Sequence, residues 1–229
     1  LGLAAAAASL LVALAAPFLG SLADLGGYRK KLLGVFAVLG AGATACLLLP
    51  GQGAWEAAAI LYVVASIAFS CANLVYDSLL SSVAKGDNRH RVSALGFSLG
   101  YFGSTLLLVF SLATIFRPEA FGFASATAAT RFSFLTVGIW WLLFSIPLFL
   151  FVPEGRVAGH LGIRRSLRKV PGKVLETVRV LVRKQPVLGL FLLAYWFYID
   201  GVHTVIKMAS KLASDLAVPQ EHLMGAIIL

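Results

Sequence analysis

The chain has 229 residues, of which 59% are hydrophobic and 13% charged, with a formal net charge of +9. Its mean hydropathy of +0.90 is too high for the surface of a soluble domain. Apolar runs of about 20 residues recur without the alternation of a β-barrel, so the composition indicates an all-α integral membrane protein, a polytopic helical bundle.

The apolar runs predict six membrane spans and the beginning of a seventh. The six lie at residues 3–22, 32–49, 57–83, 92–116, 132–152 and 187–208, and the incomplete one begins near His222. Because the chain starts with Leu and stops inside an apolar run, we expect a fragment that lacks one preceding helix. On that numbering it covers helices 2 to 7 and the start of helix 8. Cys46 and Cys71 fall inside spans, where we expect small buried residues.

The distribution of Lys and Arg predicts the orientation of the spans. Most of these residues lie in the first, third and fifth connections, at 23–31, 84–91 and 153–186. Cytoplasmic connections carry such an excess, so we place these three on the cytoplasmic side of a bacterial inner (plasma) membrane. The same rule accounts for the net charge, and no base-reading module accompanies it, so we expect no nucleic-acid partner.

A dense packet of glycine and charge, GSLADLGGYRKK, occupies residues 20–31. Gly20 and Gly27 would let two helices approach and turn sharply, while Asp24 would end the first helix. Arg29 and Lys30 would hold the loop among the headgroups of the cytoplasmic leaflet. We predict a cytoplasmic gate loop formed by Gly20, Asp24, Gly27, Arg29 and Lys30.

Polar residues on one face of the third span are candidates for a solute pathway or gate. Asn73 and Asp77 are four residues apart, with Tyr76 beside them. Hydrogen bonding between helices is the alternative role for this group.

Small residues in the fourth span predict a close-packing face. Gly96, Gly100 and Gly103 recur at spacings of three and four, which lets helix backbones touch. The surface is either a static contact or one that slides during transport. For Trp140 and Trp141 in the fifth span we favour aromatic core packing over the lining of a cavity.

The basic fifth connection divides the chain into three parts. We expect the N-terminal half of a transporter at 1–152, an inter-half loop at 153–186 and the start of the C-terminal half at 187–229. Within the loop, apolar residues recur at helical spacing among the cations and predict an amphipathic helix on the inner membrane surface. They are Val170, Val174, Leu175, Val178, Leu181 and Val182.

An ionisable residue near the middle of the sixth span is the leading functional candidate. Asp200 lies where a carboxylate is costly unless it faces protein, water or a cation. His203, Thr204 and Lys207 follow at i+3, i+4 and i+7 on the same face. Asp200 would bind a cation or amine or take up protons, and His203 would titrate. The alternative is that Asp200 bonds neighbouring helices and Lys207 extends to the headgroups.

Three stretches together resemble a known family: residues 20–31, the start of the fourth span at 91–104, and residues 194–206. The packet Gly20, Leu22, Ala23, Asp24, Gly27, Arg29 and Lys30 is similar to the loop between helices 2 and 3 of major facilitator superfamily transporters, with Tyr28 replacing a usual basic residue. In the sixth span, Tyr198, Asp200, Gly201, Val202 and Thr204 match a Tyr-Asn-Asp-Gly-Val-Gln-Thr-like run, with Ile199 and His203 in place of the amides. That run resembles the autophagy-related vacuolar effluxer branch and its bacterial relatives.

The resemblance implies a major facilitator fold and a secondary transporter of a small solute that works by alternating access. In fungi the branch is associated with amino-acid efflux from the vacuole, so amino acids and efflux are the favoured class and direction. Site candidates are Tyr198, Asp200, His203 and Thr204 with Asn73 and Asp77. We expect no enzyme activity, cofactor or metal. The expected partners are membrane lipids, the solute and a coupling proton or cation, with a monomeric protein. A non-transporting receptor, scaffold or assembly protein is the alternative.

Overall fold

The computed structural model describes residues 2–51, 53–83, 88–153 and 163–216. These residues form α-helices and no β-strand. The helices are α1 (Gly2–Gly26), α2 (Arg29–Cys46), α3 (Trp55–Val83), α4 (Asn88–Phe116), α5 (Ala126–Phe151), α6 (Ile163–Arg183) and α7 (Pro186–Asp215), with a 3₁₀ helix at Pro118–Phe121. The chain divides into two compact units, Leu3–Pro171 and Gly172–Leu229, and α6 runs across the division.

Five helices are long and apolar enough to cross a membrane, which confirms five of the six predicted spans. The apolar segments are Ala5–Ala23, Trp55–Leu80, Asn88–Phe116, Ala126–Phe151 and Pro186–Ile206. The predicted span at 32–49 is helical but falls short, because α2 has 18 residues and three of them are Arg29, Lys30 and Lys31. The predicted start of a further span near His222 lies outside the described residues.

The predicted connections were too long. Helix α1 continues to Gly26 and α2 begins at Arg29, so only Gly27 and Tyr28 separate them. Asp24 therefore does not end the first helix but lies in its last turn. Gly27 has φ +63°, in the left-handed region that favours glycine, and this conformation turns the chain from α1 into α2. The charges assigned to loops at 23–31 and 84–91 lie mainly in helical turns, since α4 already begins at Asn88.

Helix α2 packs against both α3 and α5, and small residues make these contacts possible. Gly40 of α2 meets the ring of Trp141 on α5, and a Cβ at Gly40 would lie 3.2 Å from the Ala68 Cβ on α3. A Cβ at Gly138 of α5 would lie 2.7 Å from the Ala41 carbonyl oxygen. The backbones of α2 and α5 are therefore in direct contact, as in membrane bundles whose helices associate by packing of small residues.

A cluster of larger apolar side chains fills the space beside this contact. Leu33 of α2 packs with Ala72, Val75 and Leu79 of α3, which recur at helical spacing and are buried. Trp141 extends the cluster and meets Phe69 edge to face, with ring centroids 5.6 Å apart. The preference for core packing of Trp141 is thus confirmed. Cys71 is buried as predicted, whereas Cys46 is exposed because it ends α2 beyond the packed stretch.

Two cations fix the ends of α2 and α5 to each other. Lys30 Nζ donates a hydrogen bond to the Phe149 carbonyl oxygen at 2.8 Å, at the start of α2 and the end of α5. At the other end, Arg131 Nη2 donates to the Pro50 carbonyl oxygen at 2.9 Å. The two helices are therefore antiparallel, and each supplies a cation near its own N-terminus to a carbonyl at its neighbour's C-terminal end.

The connection from α4 to α5 is compact and has its own cap. Ser125 accepts a hydrogen bond from the Ala128 amide at 3.2 Å and caps the N-terminus of α5. Gly122 has φ +78° after the 3₁₀ helix. Phe121 meets Phe110 of α4 edge to face, with centroids 6.2 Å apart. This connection orders the C-terminal end of α4 against the N-terminal end of α5.

Replacing Gly138 by Ala should destabilise the protein by about 1–3 kcal/mol, because the new methyl would overlap the backbone of α2. The measurement is thermal unfolding of the full-length protein in detergent, with an expected fall of about 2–4 °C per kcal/mol. The matched control is Gly100→Ala, since no atom lies within 4 Å of a Cβ there. Equal melting temperatures for the two variants would contradict the close contact.

Candidate functional site

Helix α3 has one packed face and one exposed polar face. Ala72, Val75 and Leu79 belong to the core, whereas Asn73 and Asp77 are exposed on the other side. Tyr76 is half exposed beside them, and its hydroxyl oxygen would lie 3.8 Å from a Cβ at Gly96 of α4. The structure thus brings Asn73, Tyr76 and Asp77 together outside the core. An exposed carboxylate within a span needs water, a cation or a protein partner, and lipid supplies none of these.

The three glycines of α4 have different surroundings. Gly96 lies near Tyr76 as described, and a Cβ at Gly103 would lie 3.9 Å from the Trp140 ring of α5. Gly100 has no neighbouring atom within 4 Å of a Cβ. Trp140 itself stacks at a tilt on Phe144, with centroids 4.4 Å apart. The proposed packing or sliding role of these glycines stays a prediction, and the closest helix contacts of the described residues lie at Gly40 and Gly138 instead.

The predicted gate residues occupy the α1–α2 junction. Gly20 lies within α1, and no atom is within 4 Å of a Cβ there. Gly27 is buried in the turn, and Arg29 and Lys30 lie in the first turn of α2. The side chain of Asp24 lies outside the described part of the chain. Lys30 binds the end of α5, so this junction is joined directly to the packed core.

Helix α7 places three polar candidates on one exposed face. Asp200, His203 and Thr204 are all exposed and follow one another at i, i+3 and i+4. Tyr198 is also exposed, but it precedes Asp200 by two residues and points away from that face. The side chain of Lys207 lies outside the described residues. Asp200 lies well inside the apolar segment Pro186–Ile206, and it is the one carboxylate in that segment.

Sequence reasoning did not single out Gly40, Gly138 or Arg131, and it assigned Lys30 to the gate loop without predicting its bond to α5. Gly40 and Gly138 allow the close α2–α5 contact, and Lys30 and Arg131 bond carbonyls across it. The run Gly-Ala-Gly-Ala at 40–43 was a usable signal of close packing. No sequence pattern indicates which carbonyls Lys30 and Arg131 bind, because every residue has a backbone carbonyl.

Comparison with known proteins identifies the family. The family described as "Vacuole effluxer Atg22 like" matches residues 3–228. The chain belongs to this effluxer family. The "Uncharacterized MFS-type transporter YxiO" of Bacillus subtilis is 36% identical over 231 residues, covering 98% of this chain and 52% of that protein. "Autophagy-related protein 22" of Pichia angusta is 25% identical over 228 residues, covering 90% and 39%.

The chain thus spans about half, or less, of the length of these curated relatives. "Autophagy-related protein 22" of Cryptococcus neoformans is 29% identical over 160 residues and covers 67% of this chain. No solved structure gives a significant match. With its long apolar helices, the chain is an all-α membrane protein of the major facilitator type. The predicted resemblance is confirmed.

Replacing Lys30 by Met should lower stability by about 1–3 kcal/mol, because the Phe149 carbonyl loses its charged donor. The readout is the melting temperature of the full-length protein. Lys31→Met is the control, since Lys31 is exposed and only its contact with the Tyr28 ring, 5.6 Å from the centroid, is lost. That contact is worth about 1 kcal/mol or less. A larger loss for Lys31→Met would show that the cross-helix bond is unimportant.

The exposed face of α3 should be accessible to water in the full-length protein. A thiol at Asn73→Cys should react with a membrane-impermeant maleimide, whereas a thiol at Val75→Cys should not, because Val75 is fully buried. Both variants are made after replacing Cys46 and Cys71 by Ser and Ala and any other cysteine likewise. Protection of position 73 equal to that of position 75 would mean that Asn73 bonds a neighbouring helix and lines no aqueous path.

Proposed function

We propose that this chain is part of a secondary active transporter that exports a small solute, with amino acids as the favoured class, by alternating access in a bacterial inner membrane. Its family is described as an effluxer, and its Bacillus subtilis relative is named an MFS-type transporter. These names support transport and outward movement, and the amino-acid class rests on the sequence resemblance at Tyr198–Thr204.

The observation that carries the proposal is the exposed carboxylate of Asp200 inside an apolar segment. A helix that only anchored the protein would have no reason to keep an ionisable group there, because the charge is costly in lipid. His203 and Thr204 extend the same face with a titratable ring and a hydroxyl. We propose that Asp200 binds the solute amine or the coupling proton, and that His203 and Thr204 complete its hydrogen bonds.

The polar face of α3 supports the same function independently. Asn73 and Asp77 are exposed on the side away from the core, where they can contribute to an aqueous path. Tyr76 of α3 lies near Gly96 of α4, and Gly96 has no side chain that would obstruct a shift of α4 against α3. We propose that α4 moves against α3 during transport while α2, α3 and α5 stay joined.

The test is counterflow uptake by the full-length protein in proteoliposomes, with labelled amino acids, other amines and organic acids. Asp200→Asn should reduce saturable uptake about tenfold to a hundredfold, because interactions of a charged group are worth about 1.5–3 kcal/mol. The matched control is Glu119→Gln, which makes the same chemical change in the exposed 3₁₀ helix and should transport normally.

The outcomes separate the two candidate functions. Uptake lost only in Asp200→Asn supports a binding or coupling carboxylate in a transporter. Uptake unchanged in both variants would support a transporter in which Asp200 has a structural role. No uptake of any compound, with Asp200→Asn retaining full cellular function, would favour the receptor, scaffold or assembly protein.

A further inference from the structure

The corner between α6 and α7 has a defined shape. The amides of Lys184 and Gln185 both donate to the Val180 carbonyl oxygen, at 2.8 and 3.0 Å, and end α6. The first turn of α7 then lies against the last turn of α6, since a Cβ at Gly189 would be 3.2 Å from the Leu181 carbonyl oxygen. The corner therefore depends on a glycine and is not a free hinge.

An open groove of about 560 Å³ lies at this corner. One end is polar and the other is apolar. Its lining consists of Lys184, Gln185, Pro186, Val187, Leu188 and Phe191. Val187 and Phe191 are 82% and 63% exposed, so the apolar end is not covered by the described residues of this unit. A molecule with an acidic head group and a hydrocarbon part would match this lining.

The last three turns of α6 continue this amphipathic character. Leu175, Val178 and Val182 recur at helical spacing and are all exposed. Exposed cations lie beside them, at Arg179, Arg183 and Lys184, and Glu176 is the one acid of the helix. A cationic helix with an exposed apolar strip is suited to the boundary between headgroups and acyl chains.

The position of the corner along the chain identifies the ligand. The apolar segment of α7 begins at Pro186, directly after Arg183 and Lys184. Clusters of basic residues at the start of a span lie at headgroup level and attract anionic lipids. A nucleic acid or an acidic peptide would satisfy the cations but would leave Val187, Leu188 and Phe191 exposed to water.

We propose that the α6–α7 corner binds an anionic phospholipid of the bilayer. Its phosphate accepts hydrogen bonds from Lys184 and Gln185, with Arg183 nearby, and its acyl chain lies against Val187, Leu188 and Phe191. The strip of Leu175, Val178 and Val182 holds α6 on the same membrane surface. This site is separate from Asp200 and requires no transport activity.

The first experiment is native mass spectrometry of the full-length protein with an equimolar mixture of phosphatidylglycerol, phosphatidylethanolamine and phosphatidylcholine. The wild-type protein should retain phosphatidylglycerol selectively. Replacing Lys173, Arg179, Arg183 and Lys184 by Gln should weaken that retention at least about tenfold, because each cation near an anionic surface contributes about fivefold. The matched control replaces Arg164, Arg165, Arg168 and Lys169 by Gln, which removes the same charge from the other end of α6.

A small effect in the control supports a site at the corner. Equal losses in both variants would show a diffuse electrostatic attraction and overturn the proposal. Retention of all three lipids alike, or of phosphatidylglycerol by the corner variant, would overturn it as well.

A second measurement does not depend on the multiple variant folding. In a cysteine-free full-length protein, a bimane label at Val178→Cys should be quenched by phosphatidylglycerol with brominated chains. A label at Glu176→Cys, two residues away and on the opposite face, should be quenched by aqueous iodide instead. Protection of position 178 from both quenchers would show that another protein segment covers the strip, and this would contradict the lipid proposal.

Discussion

The contact between α2 and α5 depends on two glycines, which have no side chain to hold the helices apart. Gly138 brings the α5 backbone against Ala41, and Gly40 makes room for the Trp141 ring. Lipid is as apolar as the side chains of a membrane helix, so burying these side chains between helices gains no hydrophobic free energy. Van der Waals contact at close approach must therefore hold the helices together. The remaining order of the first unit follows from this contact. Because α2 is fixed on α5, it presents Leu33 to α3, and the buried face of α3 is set by that partner. The polar residues of α3 are then left on the outside.

Electrostatics closes both ends of the same pair. Three cations in the first turn of α2 oppose the positive end of its own helix dipole. Lys30 avoids part of that cost by reaching the carbonyl of Phe149 at the negative end of α5. Arg131 bonds in the opposite direction, to the Pro50 carbonyl oxygen beyond the end of α2. Antiparallel packing thus brings a cation of each helix to a carbonyl at the far end of the pair, and the Phe149 carbonyl is one that the end of α5 leaves without an intrahelical partner.

Much of this fold could be predicted from the sequence, because span length and charge follow from the bilayer. The amphipathic helix around Val178 was placed correctly, and so was the turn at Gly27. Helix ends were less predictable. Arg29 and Asp24 suggested a loop, yet both lie in helices, since backbone hydrogen bonding continues until a residue such as Gly27 interrupts it. Of the candidate site, the shared faces of Asn73 with Asp77 and of Asp200 with His203 follow from helical spacing alone. The partners of Lys30 and Arg131 do not, because they are backbone atoms 119 and 81 residues away.

The bonds at Lys30 and Arg131 also fix how α2 and α5 are aligned along their length. The 18 residues of α2 account for about 27 Å of the separation between the two bonds, at 1.5 Å per residue. The α2–α5 pair cannot shorten by sliding, since a shift of one helix along the other would break both bonds and drive Gly138 out of register with Ala41. A bilayer of different thickness must therefore adapt to this pair, by local thinning or by tilt of the whole pair, while α2 and α5 keep their mutual alignment.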